Sequence, residues 1–65
     1  MALERLAPDE LTLLRALRAA EGLARAAKLL GLSEVTLEIV VGGQPVLSAT
    51  AARVRSALAR LATSR

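Results

Sequence analysis

The chain has no His, Cys, Tyr or Trp, so the side chains that most often serve as general bases, thiol nucleophiles or zinc ligands are missing. What remains able to do chemistry is six carboxylates, nine cations and a few hydroxyls. Asp9 and Glu10 are adjacent acids, but they directly follow Pro8, where acids complement the positive end of a helix dipole. They read as helix-start partners rather than as an acid-base pair. There is no Gly-rich phosphate loop, and the other acids form no convincing pair. A protein that is not an enzyme, holds no metal and uses no cofactor is the expectation.

The chemistry left over is ionic, and it is unevenly placed. Residues 1–22 carry three Arg against four acids, −1; residues 23–43 carry two cations against two acids, zero; residues 44–65 carry four Arg and no acid, +4. The net charge of +3 is compatible with nucleic acid.

The elements that must position these charges come from an aliphatic, aromatic-free composition. The chain is 54% hydrophobic, with 14 Leu and 14 Ala, both strong helix formers, so an all-α domain is expected. At 65 residues it is a single domain, residues 1–65, and buries only about 60% of the surface its unfolded chain exposes. With no disulfide and no zinc site, packing alone must hold it. The aliphatic surplus exceeds what one small monomer can hide, which predicts a homodimer. The longest uncharged run, residues 39–52, contains two Gly and a Pro and cannot span a bilayer. The first ten residues carry three acids and one Arg, the wrong charge for a targeting signal. No membrane association and a soluble, cytoplasmic protein are therefore expected.

Pro8, Asp9 and Glu10 open a helix over about residues 8–20, with Leu11, Leu14 and Leu17 on one face, Leu13 beside them, and Arg15 and Arg18 opposite. Leu3 and Leu6 can fold back onto its open side. Residues 23–30, LARAAKLL, give a second helix whose Ala26, Ala27 and Leu30 share a face, with Gly31 placed as its left-handed end. Ser33 can cap a third helix, with Glu34 in its first turn. A last helix spans about residues 49–62, where Leu47, Ala51, Val54, Leu58 and Leu61 step by four and three, and Ser48 or Thr50 can cap it.

Residues 35–41, VTLEIVV, are pulled in two directions. Val35, Leu37, Ile39 and Val41 alternate like a half-buried strand before the turn at Gly42 and Gly43. A hairpin, however, would have to pair this segment with the four residues PVLS, where Pro45 removes a donor. On a helix, Leu37, Val40 and Val41 fall at i, i+3 and i+4 on one buried face. Helix is therefore the expectation, with the hairpin as its alternative.

The stretch GLARAAKLLGLSEVTLEIVVGGQPVLSATAARVRSALARL resembles the helix-turn-helix core of the lambda-repressor or Cro-like (XRE-type) family of bacterial and phage regulators. The likeness rests on Ala27 four residues before Gly31, then Leu32-Ser33, Leu37 and Val40, the Gly42-Gly43 stop and a Pro-bearing loop into TAARVRSAL. It places the motif at about residues 23–42. It implies that the second helix of the pair enters the major groove of double-stranded DNA while the first crosses the backbone. Carried over position by position, the base-facing residues are Ser33, Glu34, Val35, Glu38 and Ile39, and the inward ones Leu32, Leu37 and Val40. The implied phosphate contacts are Arg25, Lys28, Gln44 and Arg53. The implied function is a small dimeric DNA-binding repressor.

The base-facing set holds no Arg, Lys, Asn or Gln, the side chains that most often read bases. Glu34 and Glu38 can accept from cytosine N4, and Val35 and Ile39 can meet thymine methyls. The same surface also suits the alternative function, a helix-turn-helix-derived module that binds protein through Val35, Ile39 and Val41.

Overall fold

The computed structural model describes residues 2–63, and four helices carry most of them: α1 (Pro8–Glu21), α2 (Leu23–Leu30), α3 (Glu34–Val41) and α4 (Ser48–Thr63). The expected helices are all present, and residues 35–41 take the helical choice. Leu37 and Val40 are buried at 0% and 1% exposure while Val35 stands 71% exposed. Period-three-and-four burial outweighs the β-branched propensity of this segment, which costs only a few tenths of a kcal/mol per residue in a helix.

The all-α expectation misses one element. Leu3–Glu4 (β1) and Val46–Leu47 (β2) form a two-residue antiparallel ladder in which Leu3 faces Leu47 and Glu4 faces Val46. The residues VL of PVLS do pair as a strand, but with the N-terminal segment rather than with residues 35–41. The ladder brings Val46 and Leu6 into the core at 8% and 6% exposure and turns Leu3 and Leu47 outward at 61% and 40%. Leu3 therefore does not pack on α1, and Leu47 lies before α4 rather than on its inner face. Ser48 opens α4, and its hydroxyl donates to the Ala2 carbonyl at 3.5 Å.

One core joins all four helices: Leu14 from α1, Ala26, Ala27 and Leu30 from α2, Leu37 and Val40 from α3, and Ala51, Val54 and Ala57 from α4. Leu11, Leu17, Leu32 and Leu58 pack at its margin, whereas Leu13 is 59% exposed. The small residues lie where α2 meets its neighbours, which lets short helices approach closely. No helix among the described residues is long and apolar enough to cross a membrane.

The start of α1 is tied to α4 through charge. Glu10 accepts from the Ala7 N–H at 2.7 Å through one oxygen and from Arg55 Nε at 2.8 Å through the other. Ala7 has no side-chain oxygen with which to reciprocate, so only half of a capping box forms. Arg55 also donates to Glu4 at 2.8 Å, joining β1, α1 and α4. Donation by Arg55 is the main cause that holds both carboxyls below their ordinary value, with Ser48 assisting at Glu4 and the Ala7 N–H at Glu10. A carboxyl whose folded pKa is depressed adds stability above its unfolded value and loses it as pH falls through the folded value. The melting temperature should therefore drop as pH is taken from 5 to 3, and a Glu4→Gln, Glu10→Gln variant, less stable at neutral pH, should show a flatter acid limb. Parallel curves for the two proteins would contradict the assignment.

Candidate functional site

α2 and α3 are joined by only three residues, Gly31, Leu32 and Ser33. Gly31 holds φ +71, a left-handed conformation that costs an L-residue about 1–2 kcal/mol. Its N–H reaches the end of α2, and the Leu32 N–H donates to the Ala27 carbonyl at 2.9 Å, closing a Schellman-type stop. Ser33 then caps α3: its hydroxyl oxygen accepts from the Thr36 N–H at 3.1 Å and its O–H donates to Thr36 Oγ1 at 2.9 Å. The Ser33 proton and one of its lone pairs are thus committed locally, leaving a single acceptor site for a ligand.

The five residues carried over as base-facing, Ser33, Glu34, Val35, Glu38 and Ile39, are all exposed. Of the three carried over as inward, Leu37 and Val40 are buried and Leu32 is half-buried. Val35 and Ile39 stand one turn apart at 71% and 39% exposure, giving α3 an apolar outer ridge. Val41, grouped with them in the protein-binding alternative, is half-buried against the core instead. Glu38 is not free: Arg18 on α1 donates to its Oε1 through Nε at 2.8 Å, with the second guanidinium nitrogen at 2.7 Å. That pair offsets one of the two carboxylates on the α3 face and leaves Glu38 Oε2 outside it.

The predicted phosphate-facing residues fall into two neighbouring grooves. Arg25, Lys28, Ser33 and Glu34 line an open groove of about 710 Å³ over the α2–α3 corner. Lys28 also lines a second groove of about 570 Å³ together with Arg53. Lys28 thus stands between them, while Gln44 lies exposed in the loop after α3. Arg25 is 71% exposed and paired at 2.6 Å with Glu21, four residues earlier, an exchangeable surface pair of small worth.

The structural arginines carry no mark in the sequence. Arg15 Nε donates to the Val41 carbonyl at 3.0 Å, Arg53 to the Gly31 carbonyl at 3.2 Å and Arg60 to the Leu29 carbonyl at 3.2 Å. These guanidiniums satisfy carbonyls at the C-terminal ends of α3 and α2 and complement the negative ends of their dipoles. The far end of α3 is thereby held from α1, and the end of α2 at the α2–α3 corner from α4. A seven-residue step along α4, from Arg53 to Arg60, is the one available signal, but it names no acceptor until the helices are packed. Set beside known protein families, curated proteins and solved structures, the chain has no match among them.

Proposed function

We propose that this chain is a lambda-repressor-like helix-turn-helix DNA-binding domain, acting as a homodimeric transcriptional regulator that represses by occupying its site. The observation that carries this reading is the α2–α3 corner itself: a three-residue turn with left-handed Gly31 and capping Ser33, from which α3 presents four exposed side chains while Leu37 and Val40 anchor it. Cations at Arg25, Lys28 and Arg53 flank that corner.

In this mechanism α3 enters the major groove, and Arg25, Lys28, Arg53 and the Gln44 amide hold phosphates on either side. Glu34 and the unpaired oxygen of Glu38 accept from cytosine N4, and Val35 and Ile39 meet thymine methyls. Arg18 lowers the cost of bringing Glu38 near phosphates by holding a positive charge against it. The second copy covers the apolar groove of about 260 Å³ between α1 and α4, whose walls include Leu13, Leu17 and Leu58.

A second reading is favoured by the Val35–Ile39 ridge, which suits a protein partner as well as a thymine-rich groove. Ile39→Asp separates the two, because a residue 39% exposed can take a carboxylate without unfolding the domain. If α3 reads DNA, duplex binding should be lost while the sedimentation coefficient is unchanged. If the ridge is a protein contact, the variant should dissociate an assembly and leave DNA binding no different from wild type.

A further inference from the structure

Four of the six carboxylates are already matched to cations: Glu4 and Glu10 to Arg55, Glu21 to Arg25 and Glu38 to Arg18. Three other cations converge where there is none. Lys28 at the end of α2 and Arg53 and Arg60 on α4 line the open groove of about 570 Å³, with Gly31 and Ser56 between them and no acid among the described residues of its walls. Among the described residues Lys28 has no carboxylate partner. Like charges gathered around one concave surface repel one another, an arrangement that an anion relieves.

The two arginines are also held in place. Each spends one N–H on a carbonyl, Arg53 on Gly31 and Arg60 on Leu29. A guanidinium has five N–H donors in a rigid fork, so most remain for a ligand. These bonds answer the partial negative charge at the end of α2, beside which Lys28 stands with its ammonium outside any ion pair among the described residues. Arg53 and Arg60 are seven residues apart, about 10 Å along the helix axis, and Ser56 lies between them with an exposed hydroxyl. The duplex rises about 3.4 Å per nucleotide along its axis, and neighbouring phosphates of one strand lie farther apart than that rise. The span therefore takes about two phosphates in succession, whereas a single anion could meet only one end of it.

We infer that the groove between the end of α2 and α4 is a binding site for consecutive phosphates, held by Lys28, Arg53 and Arg60 with Ser56 as a donor. Where the phosphates belong to a DNA strand, the inference rests on the proposed function and extends the backbone contact beyond the α2–α3 corner to Arg60. Where they belong to a free oligophosphate, it stands alone.

The test is a titration of the full ¹⁵N-labelled chain with tripolyphosphate at low ionic strength. Saturable amide shifts should concentrate at residues 28–31 and 53–60. Lys28→Gln with Arg60→Gln should weaken binding at least about tenfold, the loss expected for charge-assisted hydrogen bonds. Arg5→Gln, outside the groove, should leave the affinity within about twofold. Circular dichroism confirms that each variant is folded. The inference is overturned if shifts do not saturate, or if the double variant binds as the wild type does. A random-sequence duplex added to the complex distinguishes the sources. Displacement of tripolyphosphate with shifts at the same amides identifies a strand as the ligand. A duplex that leaves those shifts in place assigns the groove to a free oligophosphate, and one that binds nowhere also removes the DNA reading.

Discussion

Replacing Leu37 by Ala should leave the domain largely unfolded at 37 °C. Leu37 is wholly buried at the centre of α3, in one cluster with Leu14, Leu30, Val40 and Val54. Truncating a buried Leu to Ala costs about 2–5 kcal/mol, through lost transfer energy and the cavity left behind. A domain of this size, with no disulfide, holds only about 3–5 kcal/mol in total. The expected result is a far-ultraviolet circular dichroism spectrum with much reduced helix and no cooperative urea transition. Neighbouring Val35→Ala, at 71% exposure, should melt like the parent. A Leu37→Ala protein with a cooperative melt within a few degrees of wild type would show that α3 is not anchored as described.

The second large effect is on binding. Arg25 and Lys28 share the groove over the α2–α3 corner, and in the proposed complex each neutralises one phosphate. Each such contact contributes about −0.9 to the slope of log K against log salt. Arg25→Ala with Lys28→Ala should therefore flatten that slope by about 1.8 and weaken duplex binding about thirtyfold near 0.15 M salt. Because phosphates carry no sequence information, the loss should be the same on specific and random duplexes. Stability should hardly change, since the Arg25–Glu21 pair is exposed and Lys28 is exposed. An unchanged slope would remove both residues from the interface, and a loss confined to one sequence would make them base readers instead.

Much of the fold is legible along the chain because its signals are local. Ala26, Ala27 and Leu30 share a helical face, Gly31 supplies the one backbone conformation that closes α2, and Ser33 caps α3; each needs only its neighbours within four residues. Even VTLEIVV resolves correctly once the poor strand partner is weighed against the i, i+3, i+4 burial of Leu37, Val40 and Val41. The β1–β2 ladder is not legible, because a two-residue strand shows no periodicity and its partner lies more than 40 residues away. The arginine clamps are hidden for the same reason. Arg15 and Arg18 read as the solvated side of α1, yet one holds the end of α3 and the other its Glu38. Arg55 is silent in the sequence and central in the structure, because Glu4 and Glu10 meet it only after β1 and α1 have packed on α4.

The site divides in the same way. The outer face of α3 is set by helical geometry once its inner face is known, so Ser33, Glu34, Val35, Glu38 and Ile39 are exposed as expected. Arg60 shares a face of α4 with Arg53 seven residues earlier, but Lys28 is brought to them only by the crossing of α2 and α4, so the groove itself is not legible.

The central claim is that the α2–α3 corner binds duplex DNA and reads its sequence through α3. The most direct measurement is to mix the purified protein with fragmented genomic DNA of its source at near-physiological salt, recover the bound fragments and sequence them. The predicted result is enrichment of one site with two related halves, whose centres lie one helical turn or a multiple of it apart. Recovery no better than background would contradict that claim and leave the Val35–Ile39 ridge as a protein contact.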